Sequence, residues 1–111
     1  MSQALTLRDV QALLLSVDPT IQHYESTNPN ADAYAVWYEF QRTGLHAGNL
    51  LPEKGWRFQV DYFTRLEFDP LADRYEAALE HCPGIAYDRL TDYENDTGYI
   101  HHIFDCVVVG K

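Results

Sequence analysis

Between Gly55 and Gly84 the hydrophobic pattern changes period once, and the change divides this stretch into a strand and a helix. From Arg57 to Tyr62 apolar and polar residues alternate, with Phe58, Val60 and Tyr62 on one side and Arg57, Gln59 and Asp61 on the other. A period of two is that of a half-buried strand. Past Asp69-Pro70, the residues Leu71, Tyr75, Ala78, Leu79 and Cys82 recur at spacings of three and four and form one apolar stripe along a helix. Asp69 is placed to accept from an amide of the first helical turn, and Pro70 has no amide to leave unpaired. Pro83-Gly84 stops the helix. The pattern predicts a strand near 56–66 and a helix over 70–82 packed on its sheet.

The same reading extends in both directions. Leu7, Val10, Leu14 and Val17, widened by Leu13, make the stripe of an N-terminal helix over 6–17. Thr6 with Asp9 fits a capping box, Leu5 with Val10 a hydrophobic staple, and Asp18-Pro19 ends the helix. From Thr20 to Asp32 the chain is polar and turn-prone, a loop with room for a short extended piece around Ile21. A strand near 34–41 follows, with Tyr34, Val36, Tyr38 and Phe40 in phase and Trp37 on the opposite face. Further strands are predicted near 85–92 and 99–109, joined by the turn Asn95-Asp96-Thr97-Gly98. In the last strand Ile100, Phe104, Cys106 and Val108 share a face with His102. Together these elements predict an α+β fold, a mostly antiparallel sheet of about four strands with two helices packed on it, in one domain spanning 1–111.

Two places do not fit an isolated subunit. Trp37 lies on the face opposite the aromatic phase of its strand, so the helix or a partner subunit is expected to cover it. Thr43 to Gly55 shows neither period, yet contains Leu45, Leu50 and Leu51. It reads either as an irregular hairpin tip whose leucines fold back or as a segment that touches another subunit. Trp37, Leu45, Leu50 and Leu51 are therefore the candidate subunit interface.

Composition narrows the function classes. A formal charge of -9 with only eight Lys and Arg, spread along the chain, argues against binding nucleic acid or an anionic membrane. An acidic surface could instead line a passage that DNA crosses without sticking. Cys82 and Cys106 are too few to staple a secreted fold and read as buried free thiols of a reducing compartment. No basic-then-apolar leader and no apolar run near membrane-spanning length occurs, so a soluble protein made in the cytoplasm is expected.

Candidate chemistry is thin. His101 and His102 point to opposite faces of a regular strand, and His101 and Asp105 stand about 13 Å apart at ~3.3 Å per residue, so neither pair closes on one metal ion. A site would need His23, His46 or His81 brought in by the fold. The acidic turn from Asp92 to Gly98 has its glycine one place late for a calcium loop and Ile103 where a bidentate Glu is required. Asp61 and Glu67 lack the spacing of a shared site, no glycine loop cradles phosphate, and Ser2, Ser16 and Ser26 lack a nucleophile context. No catalytic, cofactor-binding or metal-ligating residue is assigned, and no enzymatic activity is expected.

Three stretches resemble the small tail-terminator and tail-completion (head–tail joining) proteins of long-tailed bacteriophages: TLRDVQALLLSVDP, RFQVDYFTRLEFDPLADRYEAALEHC and YENDTGYIHHIFDCVVV. They cover about half of the chain and are signals of fold more than of chemistry, and the Thr43–Gly55 stretch has no counterpart. The resemblance implies a non-enzymatic virion protein of the tail or neck, assembled in the host cytoplasm. It implies a ring, as a hexamer, that caps the tail tube, meets the head connector and lets DNA pass without specific binding. No cofactor and no membrane enter. The alternatives from other classes are an acidic decoy that occupies a nucleic-acid-binding partner and a small hydrolase using His101 or His102.

Overall fold

The computed structural model describes residues 5–43 and 54–109. Helix α1 (Leu7–Val17) starts at the predicted capping box: Thr6 Oγ1 accepts from the Asp9 amide at 3.2 Å, and an Asp9 carboxylate oxygen accepts from the Thr6 amide at 2.8 Å. It is followed by β1 (Gln22–His23), β2 (Ala33–Thr43), β3 (Gly55–Thr64), α2 (Pro70–Glu80), β4 (Ile85–Tyr93) and β5 (Ile100–Val109). The sheet order is β1-β2-β3-β5-β4. All pairings are antiparallel except that of β1 with β2, so the sheet is mostly antiparallel, as expected, and has five strands where about four were expected. The addition is the two-residue β1 beside Ile21, too short for a periodic pattern to reveal.

The helix ends are chemical anchors. Asp69 caps α2 by accepting from the Leu71 amide at 3.0 Å, as its place before Pro70 predicts, and it also accepts the hydroxyls of Tyr62 at 2.6 Å and Thr64 at 2.7 Å. Asp18, 7% exposed, ends α1 and accepts from the amide and hydroxyl of Thr20 and from the Tyr75 hydroxyl at 2.8 Å. Burial, first, and the facing carboxylates push the Tyr75 and Tyr62 hydroxyls far above their ordinary range, so both remain donors. Helix α2 ends at Glu80, two residues before the predicted limit, and Gly84 turns the chain with φ +93°. Cys106 is buried as expected; Cys82, just past the helix end, is only half-buried, and both thiols are free.

One core lies between the helices and one sheet face. It joins Val10, Leu14 and Val17 of α1, Ala72, Tyr75 and Leu79 of α2, and Phe58, Val60, Tyr62, Phe104, Cys106 and Val108 of the sheet. Gly55 closes the end of β3 so near the Val108 carbonyl that a Cβ would collide with backbone.

Trp37 belongs to this core. It is 1% exposed, which overturns its assignment to a subunit interface; of the two covers expected for its face the helices supply it, and Ala35 and Trp37 face them. The reason is fit across the ladder. Ala35 lies opposite the large Tyr62 and Trp37 opposite the smaller Val60, so bulk alternates where the helices rest. The other three candidates, Leu45, Leu50 and Leu51, lie outside the described residues.

Replacing Trp37 by Ala should cost about 3–5 kcal/mol in urea unfolding, the range for a large buried aromatic rather than an interface residue. Tyr75→Phe should cost about 1–3 kcal/mol, because one acceptor of buried Asp18 loses its donor. Tyr75→Asp should abolish folding; a soluble, normally melting variant would place Tyr75 outside the core.

Candidate functional site

With both helices on one face, the opposite face of the sheet is uncovered by any described element. Onto it project Tyr34, Val36, Tyr38 and Phe40 from β2, Arg57, Gln59, Asp61 and Phe63 from β3, His101, Ile103, Asp105 and Val107 from β5, and Asp88, Leu90 and Asp92 from β4. Side chains alternate across a strand, so assigning Trp37 to the core assigns the aromatic phase of β2 to this surface. Phe40, Leu90 and Val107 are 46%, 52% and 36% exposed. A mixed face of aromatic, aliphatic and acidic groups results.

A polar lattice crosses it. The Arg57 guanidinium reaches both Asp105 oxygens at 3.3 and 3.2 Å and Gln41 at 3.3 Å, and lies over the Phe40 ring at 4.9 Å. Gln59 donates to Asp61 at 2.8 Å, and the same carboxylate oxygen is 3.0 Å from His101 Nε2. His101 stacks on Phe63 at 4.1 Å, which stacks on Tyr34 at 4.6 Å. His101 is thus half-buried and bonded across the sheet, and its neighbour His102 points to the helix side, as strand geometry requires. Their side chains meet different partners. His102 Nδ1 lies 3.3 Å from the Arg89 guanidinium, a group that only donates, so Nδ1 must accept. Both histidines are half-buried. Among the described residues no group of three or more His, Cys, Asp or Glu could hold a metal ion. No described helix is long and apolar enough to cross a membrane.

Two further clusters have no signature in the sequence. At the β2 edge His23 is sandwiched between Trp37 at 4.0 Å and Tyr24 at 3.8 Å, and Glu39 receives His23 Nε2 at 2.7 Å and the Tyr24 hydroxyl at 2.5 Å. Burial alone would raise the Glu39 carboxyl, but these hydrogen bonds outweigh it and hold it below its ordinary range. On α2, Glu76 accepts from Arg89 at 2.6 Å and from the Tyr87 hydroxyl at 2.8 Å, and Asp73 and Glu80 extend the row, at 3.0 Å from Arg89 and 2.9 Å from Tyr87. In the turn after β3, Phe68 is 91% exposed with φ +57°, an uncommon conformation for a bulky residue.

Stability should fall in two stages as pH drops. Burial, then Arg89, lowers the His102 pKa from its ordinary 6.5, so the unfolded chain takes up this proton first. The His102 contribution is complete above pH 6.5 and is lost as pH falls through the folded value. Asp69, lowered from 3.8 because the Tyr62 and Thr64 hydroxyls and the Leu71 amide outweigh its burial, acts in the same sense at lower pH. Urea midpoints measured from neutral to acid pH should show both declines in the native chain. In His102→Gln the upper one should be reduced; an unchanged profile would remove His102 as its source.

Neither a protein-family model nor a curated protein sequence matches the chain. Among solved structures it is similar to the sheath/tube terminator, in the extended state, of the extracellular contractile injection system PVC, with 11% identity, a TM-score of 0.44 and 99% of this chain covered. The chain spans 58% of that protein's length.

Proposed function

We propose that this protein is a non-enzymatic structural subunit that assembles as a ring, a hexamer, on the end of a bacteriophage tail tube and joins it to the head connector. The observation that supports this reading is the uncovered sheet face. Phe40, Leu90 and Val107 stay exposed on a surface otherwise stiffened by the Arg57–Asp105 and His101–Asp61 pairs. Apolar groups left exposed on a sheet face that no described helix covers are contact surface for other protein. The resemblance of three stretches of the sequence to tail-completion proteins gives that contact its setting in the tail and neck of a virion.

The charge agrees with the role. At -9 the chain repels a polyanion, as the wall of a DNA passage should. DNA would cross a passage walled by so acidic a chain without specific contacts.

Electron microscopy of the purified protein, alone and on isolated tail tubes, should show six-fold rings. A null allele should leave tails that do not join heads. Changing Phe40, Leu90 and Val107 together to Ser should alter unfolding free energy by no more than about 1 kcal/mol, since all three are exposed, and should fail to complement the null allele. Full complementation by this triple variant would exclude the uncovered face as contact surface, and normal particles from the null allele would sink the tail assignment.

A further inference from the structure

The order β1-β2-β3-β5-β4 leaves two unequal edges. Along Ile85–Tyr93 no described strand lies beside β4, and the strand contains no Pro, Gly or Lys to blunt it. On the other side β1 covers β2 only at Val36 and Trp37, so the stretch from Tyr38 to Thr43 is unpaired on its outer side among the described residues. Unpaired strand amides and carbonyls are a template for another strand. The successive antiparallel pairings of β2 with β3, β3 with β5 and β5 with β4 make β4 run opposite to β2. A second copy brought alongside by rotation, without being turned over, therefore offers its β2 antiparallel to β4.

Charge on the helix side of the sheet matches the two edges. Beside β4 stands the α2 row, with Asp73 and Glu80 exposed and Glu76 bonded to Arg89 and Tyr87. Beside β2, Arg42 lies over Trp56 at 4.8 Å on the same side, and Lys54 is exposed just before β3. Among the described residues neither Arg42 nor Lys54 is in an ion pair, whereas Arg57, Arg65 and Arg89 are. The β2 edge, with Arg42 and Lys54 against Glu39, is net basic, and the β4 edge, with Asp73, Glu76 and Glu80 against Arg89, is net acidic, so the two edges are complementary to each other and not to themselves.

We propose that copies of this chain join head to tail, β4 of one against Tyr38–Thr43 of β2 in the next, with Arg42 and Lys54 set against Asp73 and Glu80 of the neighbour. Because the two edges differ, the contact is heterologous and a closing rotation makes a ring. The neighbour's β1 occupies the place beside Val36 and Trp37, so β4 sits displaced toward Thr43. Such a stagger is what closing a sheet into a barrel requires. This inference deepens the ring part of the function proposed above and needs no tail.

The test is charge reversal on each edge, read by native mass spectrometry and sedimentation velocity, with circular dichroism to check that each variant is folded. The unaltered chain should assemble at high concentration. Arg42→Glu with Lys54→Glu, and separately Asp73→Lys with Glu80→Lys, should each lower the association constant more than about a hundredfold, because each makes both edges alike. An equimolar mixture of the two variants should assemble again, in complexes that alternate and contain even numbers of subunits. Variants that assemble alone like the original chain, a mixture that stays monomeric, or an original chain that never associates would overturn the edge pairing. A ring that survives charge reversal would leave the ring reading intact with another contact. Assembly by this edge together with a null allele that makes normal particles would instead sink only the tail assignment.

Discussion

Two carboxylates at helix ends hold this fold in the arrangement on which its exposed surfaces depend. Asp18 closes α1 and is met by the Tyr75 hydroxyl of α2; Asp69 opens α2 and is met by Tyr62 and Thr64 of β3. Asp69 bonds its own helix terminus and Asp18 the turn just past one, and each carboxylate also ties that end to a different element. A buried acceptor left without donors would cost more than each bond contributes, so these links specify position as much as they stabilise. They set both helices on one face of the sheet and leave the other uncovered.

Hydrogen bonds across its strands tie the uncovered face together. Asp61 is 8% exposed within a hydrogen-bonded chain from Gln59 to His101, and β3 and β5 pair along their full length beneath it. The half-exposed Arg57–Asp105 pair contributes little to stability in water. Its effect is local: Asp88 lies directly opposite Asp105, an unfavourable like-charge pairing that a guanidinium relieves. Acid beside one edge of the sheet and base beside the other give the two edges opposite character.

The phase of β2 has a simple origin. Tyr34, Val36, Tyr38 and Phe40 form the more hydrophobic set, and periodicity alone places such a set inward. Ala35 and Trp37 went inward instead because their alternating sizes fit Tyr62 and Val60 across the ladder. The aromatic set then went to the uncovered face. Trp37, singled out as a misplaced residue, is the largest fully buried side chain in the core. The residues that now define the candidate surfaces, Arg42, Arg57 and Phe40 among them, had no motif to mark them, since exposed charges and a strand phenylalanine are ordinary in any sequence.

The elements themselves were legible because their causes are local. A capping box at Thr6, the Asp69-Pro70 start, the Asn95–Gly98 turn and the two periods of hydrophobicity act within a few residues, and the structure places helices and strands accordingly. The α+β class followed from their order. Strand order, the fifth strand, the inward phase of β2, the partners of His101 and His102, and the separation of charge between two edges all depend on contacts between residues tens of positions apart. The identity of a strand's neighbour is not written in the strand, because ladder hydrogen bonds are made by backbone that every residue shares, and only the fit of side chains in the assembled sheet selects among the registers.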